Sequence, residues 1–259
     1  MSRSEITVTP HPAVPAVPDP QAEFSPGLVV RDHLPLLRLG DFKLVAFDMD
    51  STLINIECVD ELAAAAGRKA EVAAITEAAM NGEFGATMVD FKDSLRLRVA
   101  LLKGVPEAAL QRVYAERLQL NPGVERFVQA CQAAGLKTLL VSGGFTFFSD
   151  RVRTRLGLDF ARANVLEIRA GVLTGRLVNQ AWGDIVDGQE KRRVVLELCD
   201  LMGIAPAQAI AVGDGANDLP MMGAAGLSIA FHPKPAVQAQ AMVSILEGGL
   251  DHALELFSA

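Results

Sequence analysis

Asp48 and Asp50 stand two residues apart at the end of a short apolar run, Lys43-Leu44-Val45-Ala46-Phe47. At a strand end the chain turns, so both groups can face one pocket. One carboxylate can then attack phosphorus and form an acyl phosphate. The other can protonate a leaving alcohol and afterwards deprotonate the water that hydrolyses the intermediate. An Asx-type turn at a strand end explains the same pair with no chemistry at all, and the pair by itself does not choose between the two.

Three further groups bear on that choice. Gly213-Asp214-Gly215-Ala216-Asn217-Asp218 follows the apolar run Ala209 to Val212. Asn217 or Asp218 can cap a following helix, with Pro220 in its first turn. Asp214, at the strand end itself, is a candidate ligand for magnesium, which takes oxygen donors and needs only one or two carboxylates beside a phosphate oxygen. Ser142-Gly143-Gly144 precedes a helical segment beginning near Phe145, and a hydroxyl with free N–H groups at a helix start suits an anion; an ordinary glycine turn reads the same way. Lys191 lies in register with a stripe of Val194, Val195, Leu198, Leu201 and Met202. It either reaches out to solvent or neutralises a phosphoryl group and the acidic cluster.

The elements that would position these residues are legible as runs. Residues 43–47, 136–141, 209–212 and 227–231 are apolar and strand-length, and helical patterns separate the first three. Buried apolar strands alternating with helices predict an α/β fold with a Rossmann-like parallel sheet core. Ligands of such sheets bind beyond the carboxyl ends of the strands, where Asp48, Ser142 and Asp214 all stand. Residues 57–119 are rich in Ala, Leu, Glu, Arg and Lys and predict a small helical cap domain inserted after the first strand, with Gly82 and Gly85 marking a loop. The core is then 41–56 and 120–259. A hairpin is expected between Ala163 and Val178, with turns at Ala170-Gly171 and Thr174-Gly175. Residues 1–26 hold six of the 13 prolines, which favours extended, poorly packed chain; residues 1–40 are read as a flexible extension, with room for a small piece of structure in 28–40.

Composition narrows the partners. Half of the 259 residues are hydrophobic, ample for a core, and the net charge is −7. No basic run with interleaved aromatics suggests nucleic acid. No run approaches a membrane span and no secretion signal opens the chain, so a cytoplasmic location is expected. Cys58, Cys131 and Cys199 fit no zinc pattern and read as buried reduced thiols.

At these residues the chain resembles the haloacid dehalogenase superfamily. Asp-x-Asp-x-Thr at 48–52, Ser142, Lys191 and Gly-Asp-Gly-Ala-Asn-Asp at 213–218 occur in that family's order. With Ser94-Leu95-Arg96-Leu97-Arg98-Val99 and Val141 to Phe145, they are similar to its phosphoserine-hydrolysing members over residues 41–259. The resemblance implies Asp48 as nucleophile and Asp50 as general acid and base. It implies magnesium held by the side chains of Asp48 and Asp214 and the backbone carbonyl of Asp50. Ser142, the Gly143 backbone and Lys191 would bind the phosphoryl group, Asn217 would help position it, and Asp218 would orient Lys191. Glu57 would meet the ammonium of phosphoserine and Arg98 its carboxylate, an assignment that suits their chemistry. Phe91, Leu95 and Arg98 share one helical face, so Phe91 could close the pocket. The implied role is the last step of serine biosynthesis; another small phosphomonoester keeps the chemistry and changes the substrate. Met80 is separated from Phe91 by a longer stretch than the family has, which predicts an insertion in the covering loop. The N-terminal tail is too short for the regulatory-type domain of some relatives, so serine feedback is not expected.

Overall fold

In the computed structural model, residues 21–31, 37–72, 74–75, 91–183 and 185–258 are described. The expected insertion between Met80 and Phe91, with Gly82 and Gly85, lies outside them. The apolar runs form strands in a nine-stranded sheet. These are β1 (Gln21–Ser25), β2 (Leu28–Arg31), β3 (Leu44–Phe47), β4 (Lys137–Phe145), β5 (Phe160–Arg169), β6 (Val172–Val178), β7 (Ala209–Gly213), β8 (Leu227–Phe231) and β9 (Val243–Ile245). The order across the sheet is β1-β2-β9-β8-β7-β3-β4-β5-β6. From β9 to β5 neighbouring strands run parallel. The outer pairs at both ends are antiparallel.

Helices cover both faces. α1 (Cys58–Ala65), α2 (Phe91–Ala100) and α3 (Glu107–Glu116) follow β3; α4 (Val124–Ala133) precedes β4, α5 (Thr146–Leu156) follows it, and α6 (Gly188–Met202) precedes β7. Leu44 and Ala46 of β3 pack in one layer with Val194, Val195 and Cys199 of α6. Val45 and Phe47 pack in the other with Phe127 and Val128 of α4 and Phe148 of α5. Burial on both faces is why β3 reads as an unbroken apolar run rather than an alternating one. Leu201, expected on the buried stripe of α6, is 74% exposed, and Cys199 is buried instead. All three cysteines are buried free thiols.

The N-terminal region departs from expectation. Residues 21–31 form a hairpin, with Leu28 to Val30 paired antiparallel to β9 and Leu28 fully buried; β2 is the kind of small structured piece for which 28–40 left room, whereas β1 falls in the stretch read as unpacked chain. Leu28, Val29 and Val30 carry the pairing with β9, while the proline-rich composition of residues 1–26 masked β1. Pro26-Gly27 is the turn chemistry that closes the hairpin.

The helical insert leaves and rejoins the sheet at one place. Asn55 N–H donates to the Gln119 carbonyl, Asn121 N–H to the Leu53 carbonyl, and Ile54 bridges Leu120. A second tie joins the insert to the β5–β6 hairpin: Gly104 N–H to Leu173 O, Leu173 N–H to Val105 O and Glu107 N–H to Gly171 O, each 2.8 Å. The hairpin turns at Ala170 (φ 49°) and Gly171 (φ 74°), the paired positive φ of a two-residue hairpin loop. The second expected turn, Thr174-Gly175, instead lies within β6, next to Ala100 of α2.

Candidate active site

The carboxyl ends of β3, β4 and β7 open on one crevice, because β3 lies between the other two in the parallel register. Asp48 follows β3 directly and is 5% exposed. Three residues past Asp48, the backbone passes through Ser51 at φ 57°, a left-handed conformation that L-residues adopt at a cost. Asn121 holds this turn by donating to the carbonyls of Ser51, Thr52 and Ile54 at 3.0–3.2 Å. The turn brings Asp50 back toward β4: its Oδ2 lies so near Gly144 that a Cβ there would come within 2.7 Å of it.

Lys191 is the centre of the charge network. It is fully buried, and its Nζ donates to Asp48 Oδ1 and to Asp218 Oδ1, both at 2.6 Å. Of the two readings open from the sequence, the lysine does not reach solvent. The other Asp218 oxygen accepts the N–H groups of Asp214 and Gly215. Asp218 therefore ties α6 to the loop after β7. Gly213 must lack a side chain, since a Cβ would meet the Asp218 carboxylate at 2.4–2.5 Å. Thr52 Oγ1 donates to Asp214 Oδ1 at 3.1 Å. Burial lowers the proton affinity of Lys191, but Asp218 and Asp48 outweigh it and hold the lysine above its ordinary pKa. Burial and then Asp218 push Asp48 well up, and Lys191 opposes them.

Two other carboxyls have pKa values near neutrality. Burial and the charge of Glu57 push Asp50 up to about 7, opposed by hydrogen bonds from Cys58. Burial, then Asp218 and Glu57, push Asp214 to about 7. Oxygens of Asp48, Asp214 and Asp218 lie within 4.8 Å of one another. Three carboxylates around one buried ammonium leave an excess of negative charge, and every donor is a hard oxygen, so a hard divalent cation fits this set.

Ser142 is fully buried on β4, where pairing with β5 is interrupted between Val141 and Phe145. Its Oγ accepts the Gly144 N–H at 2.8 Å. Asn164 donates to the Gly143 carbonyl and accepts from Val186 N–H, fixing this turn from β5. Phe91 rests on the same turn: a Cβ at Gly143 would lie 2.7 Å from its Cζ. Asn217 sits in the short helical turn after Gly215, with its amide oxygen folded over that glycine. It is not seen reaching Ser142 or Lys191.

Glu57 and Arg98 lie at the mouth. Glu57 accepts the Ser51 hydroxyl at 2.8 Å and remains solvent-exposed. Crowding by the crevice walls pushes its carboxyl up, Ser51 opposes this, and water at the mouth screens it. Arg98 is half-buried on α2, its Nε donating to the Ser94 carbonyl at 3.4 Å. Burial lowers its pKa and the charges of Glu57, Asp60 and Asp50 oppose this. Glu57 and Arg98 sense each other's charge without forming a contact ion pair. Sequence reasoning missed Asn121, Asn164 and Thr52. β5 also carries Arg162, Glu167 and Arg169, so the polarity of Asn164 gave no signal of its role.

A parallel α/β sheet with an acidic, lysine-centred crevice at its strand ends defines an enzyme of the phosphoryl-handling class. The sequence profile described as haloacid dehalogenase-like hydrolase matches residues 45–223, and the chain belongs to that family. It is 68% identical over 234 residues to a phosphoserine phosphatase of Polaromonas sp. strain JS666, covering 90% of this chain and 98% of the relative. A phosphoserine phosphatase of Albidiferax ferrireducens is 66% identical over 234 residues, 90% of this chain and 97% of the relative. Among solved structures, a phospho-aspartyl intermediate analogue of phosphoserine phosphatase superposes with a TM-score of 0.75 at 36% identity, over 84% of this chain and 99% of the other. Among the described residues no helix is long and apolar enough to cross a membrane.

Proposed function

We propose that this chain is a magnesium-dependent phosphoserine phosphatase acting through an aspartyl phosphate on Asp48. The observation that carries the reading is one crevice in which Lys191 grips Asp48 while Asp50 turns an oxygen toward the Ser142–Gly144 turn. High identity to proteins named phosphoserine phosphatase supports the substrate. So does the mouth, where an acid and an arginine not paired with each other can meet an ammonium and a carboxylate. The helical insert, residues 57–119, acts as the cap that carries Glu57, Phe91 and Arg98.

In the first step an Asp48 oxygen bonds to phosphorus, the bond to the serine oxygen breaks, and Asp50 gives that oxygen a proton. In the second, Asp50 takes a proton from water, which attacks phosphorus and releases phosphate and free Asp48. An Asp50 pKa of about 7 suits a group that must act as acid and then base. Lys191, the Ser142 hydroxyl and the Gly143 backbone hold the phosphoryl oxygens, and Asp218 keeps Lys191 in place. Magnesium held by Asp48, Asp214 and the Asp50 carbonyl would offset charge on the phosphoryl oxygens. Phe91 and the cap exclude water.

The test is phosphate release from a panel of phosphomonoesters with and without magnesium. Phosphoserine should be preferred, and chelation should stop turnover. Asp48→Asn should abolish turnover while leaving the circular dichroism spectrum and unfolding midpoint close to native; retained activity ends the mechanism. Glu57→Gln and Arg98→Ala should each lower kcat/KM for phosphoserine by about 10²-fold or more, as expected for a lost charge-assisted contact, and spare a generic aryl phosphate. Equal losses on both esters would move the reading to another small phosphomonoester.

A further inference from the structure

Ser142, Gly143 and Gly144 bulge from the sheet. Val141 pairs with Arg162 and Phe145 with Asn164, so residues 142–144 of β4 stand against Ala163 alone on β5. Neither glycine has room for a side chain. A Cβ at Gly143 would lie 2.7 Å from Phe91 Cζ, and one at Gly144 would lie 2.7 Å from Asp50 Oδ2. Close approach therefore demands glycine, and glycine restricts its own backbone least. A turn that must present a hydroxyl and an N–H to phosphate in one arrangement needs its restraint from elsewhere.

Asn164, 3% exposed, provides it. Its Nδ2 donates to the Gly143 carbonyl at 2.8 Å, and its Oδ1 accepts the Val186 N–H at 2.9 Å. A carbonyl only accepts and a backbone N–H only donates, so these partners fix which way the amide points. The amide stands in for a peptide unit that the interrupted ladder lacks. The other end of the Gly143–Gly144 peptide is held as well, since Gly144 N–H donates to Ser142 Oγ. That bond occupies one lone pair of the hydroxyl and leaves its proton to donate. Val186 stands two residues before α6 and next to Asp187, whose Oδ1 accepts the Glu190 N–H and caps that helix. One buried amide thus touches both the glycine turn and the lead-in to the helix that carries Lys191. We infer that Asn164 is a positioning residue for phosphoryl binding: its side-chain amide holds the Gly143–Gly144 peptide in register with the start of α6, so that Ser142 and Lys191 meet the same phosphoryl group. The inference rests on the phosphatase reading above. Its loss should fall on every phosphomonoester alike, whereas loss of Glu57 or Arg98 falls on phosphoserine.

The experiment compares native enzyme with Asn164→Ala and Asn164→Leu. It reads kcat/KM for phosphoserine and for p-nitrophenyl phosphate, and the inhibition constant of inorganic phosphate. Leucine keeps the branched shape of asparagine and loses both hydrogen bonds. Each variant should lower kcat/KM about tenfold or more on both esters, by factors that agree within about twofold, and raise the phosphate constant about fivefold or more, as expected when binding groups are misplaced. Should one variant not fold, the other decides. Leu166→Ala, a buried truncation on the same strand, controls for lost stability; well below its melting temperature it should leave all three constants within about twofold of native. A leucine variant with native constants would make Asn164 a space-filling residue, and equal losses in Leu166→Ala would make the effect general destabilisation. A loss confined to one ester, or an unchanged phosphate constant, would take the turn out of the argument, and failure of both variants to fold would leave Asn164 a structural residue; each of these overturns the inference. If native enzyme releases no phosphate from either ester, the functional reading fails and this role falls with it. An active native enzyme with unchanged variants counts against Asn164 alone.

Discussion

Lys191 shows how much a single residue can carry. Two carboxylates share its ammonium in a place water does not reach. Removing one member of such a network leaves buried charge without compensation, at a cost of roughly 3–5 kcal/mol. Lys191→Met should therefore lower the unfolding free energy of metal-free protein by that amount, read as a lower urea midpoint with the slope unchanged. Magnesium should recover more stability in this variant than in native protein, because the acidic set has lost its internal cation. Turnover should fall at least about 10²-fold. From the sequence, Lys191 was visible as a cation on an inward face, but two outcomes remained open. What decides between them is the placement of Asp48 and Asp218, which lie 143 and 27 residues away along the chain. Asn121 was less legible still. Nothing in its neighbours announces that its amide will grip three carbonyls on a turn about 70 residues away.

At the scale of elements, the strands buried on both faces were the readable ones. Runs at 43–47, 209–212 and 227–231 became β3, β7 and β8 almost residue for residue. β9 is three residues long and gave no period to detect. β1 was hidden by the prolines around it, and β2 fell in the stretch left open for a small piece of structure. Starts of strands carry their own fastening. Asp159, just before β5, accepts the Thr138 N–H and hydroxyl and the Lys137 ammonium at 2.6–2.9 Å, joining β4 to β5. Burial would raise its carboxyl, but these hydrogen bonds outweigh it and hold it below its ordinary value. Asp159→Ala should cost about 2 kcal/mol. The sign of the pH dependence follows from the depressed value. The contribution is fully present above the unfolded-state pKa of about 3.9 and is lost as pH falls through the lower folded value. Urea titrations of native and variant protein should differ by a constant amount from pH 5 to 8 and begin to approach each other only below about pH 4.

Across the whole molecule, the sheet ends in antiparallel pairs on both sides, and the hairpin of β1 and β2 covers what would otherwise be the open edge of β9. A chain beginning at Leu37 would lose Leu28 and Val30 from the core and bare that edge. Burial of two such side chains stabilises by roughly 4 kcal/mol, so the melting temperature should drop, and the bared edge should promote self-association at high concentration. Light scattering and calorimetry would measure both. Catalysis at low temperature should survive, because three strands, β9, β8 and β7, separate the hairpin from Asp48. The crevice itself has a consequence for how the protein assembles. Its parts come from chain positions 48, 142, 191 and 214, and none of them meets another until β3 has been enclosed between β4 and β7. Contacts so distant in sequence form late, after loop entropy has been overcome. During refolding, helical signal should return ahead of enzymatic turnover. A ligand of this crevice would therefore recognise only completed molecules, and it would protect the chain as a whole against proteolysis rather than one region of it.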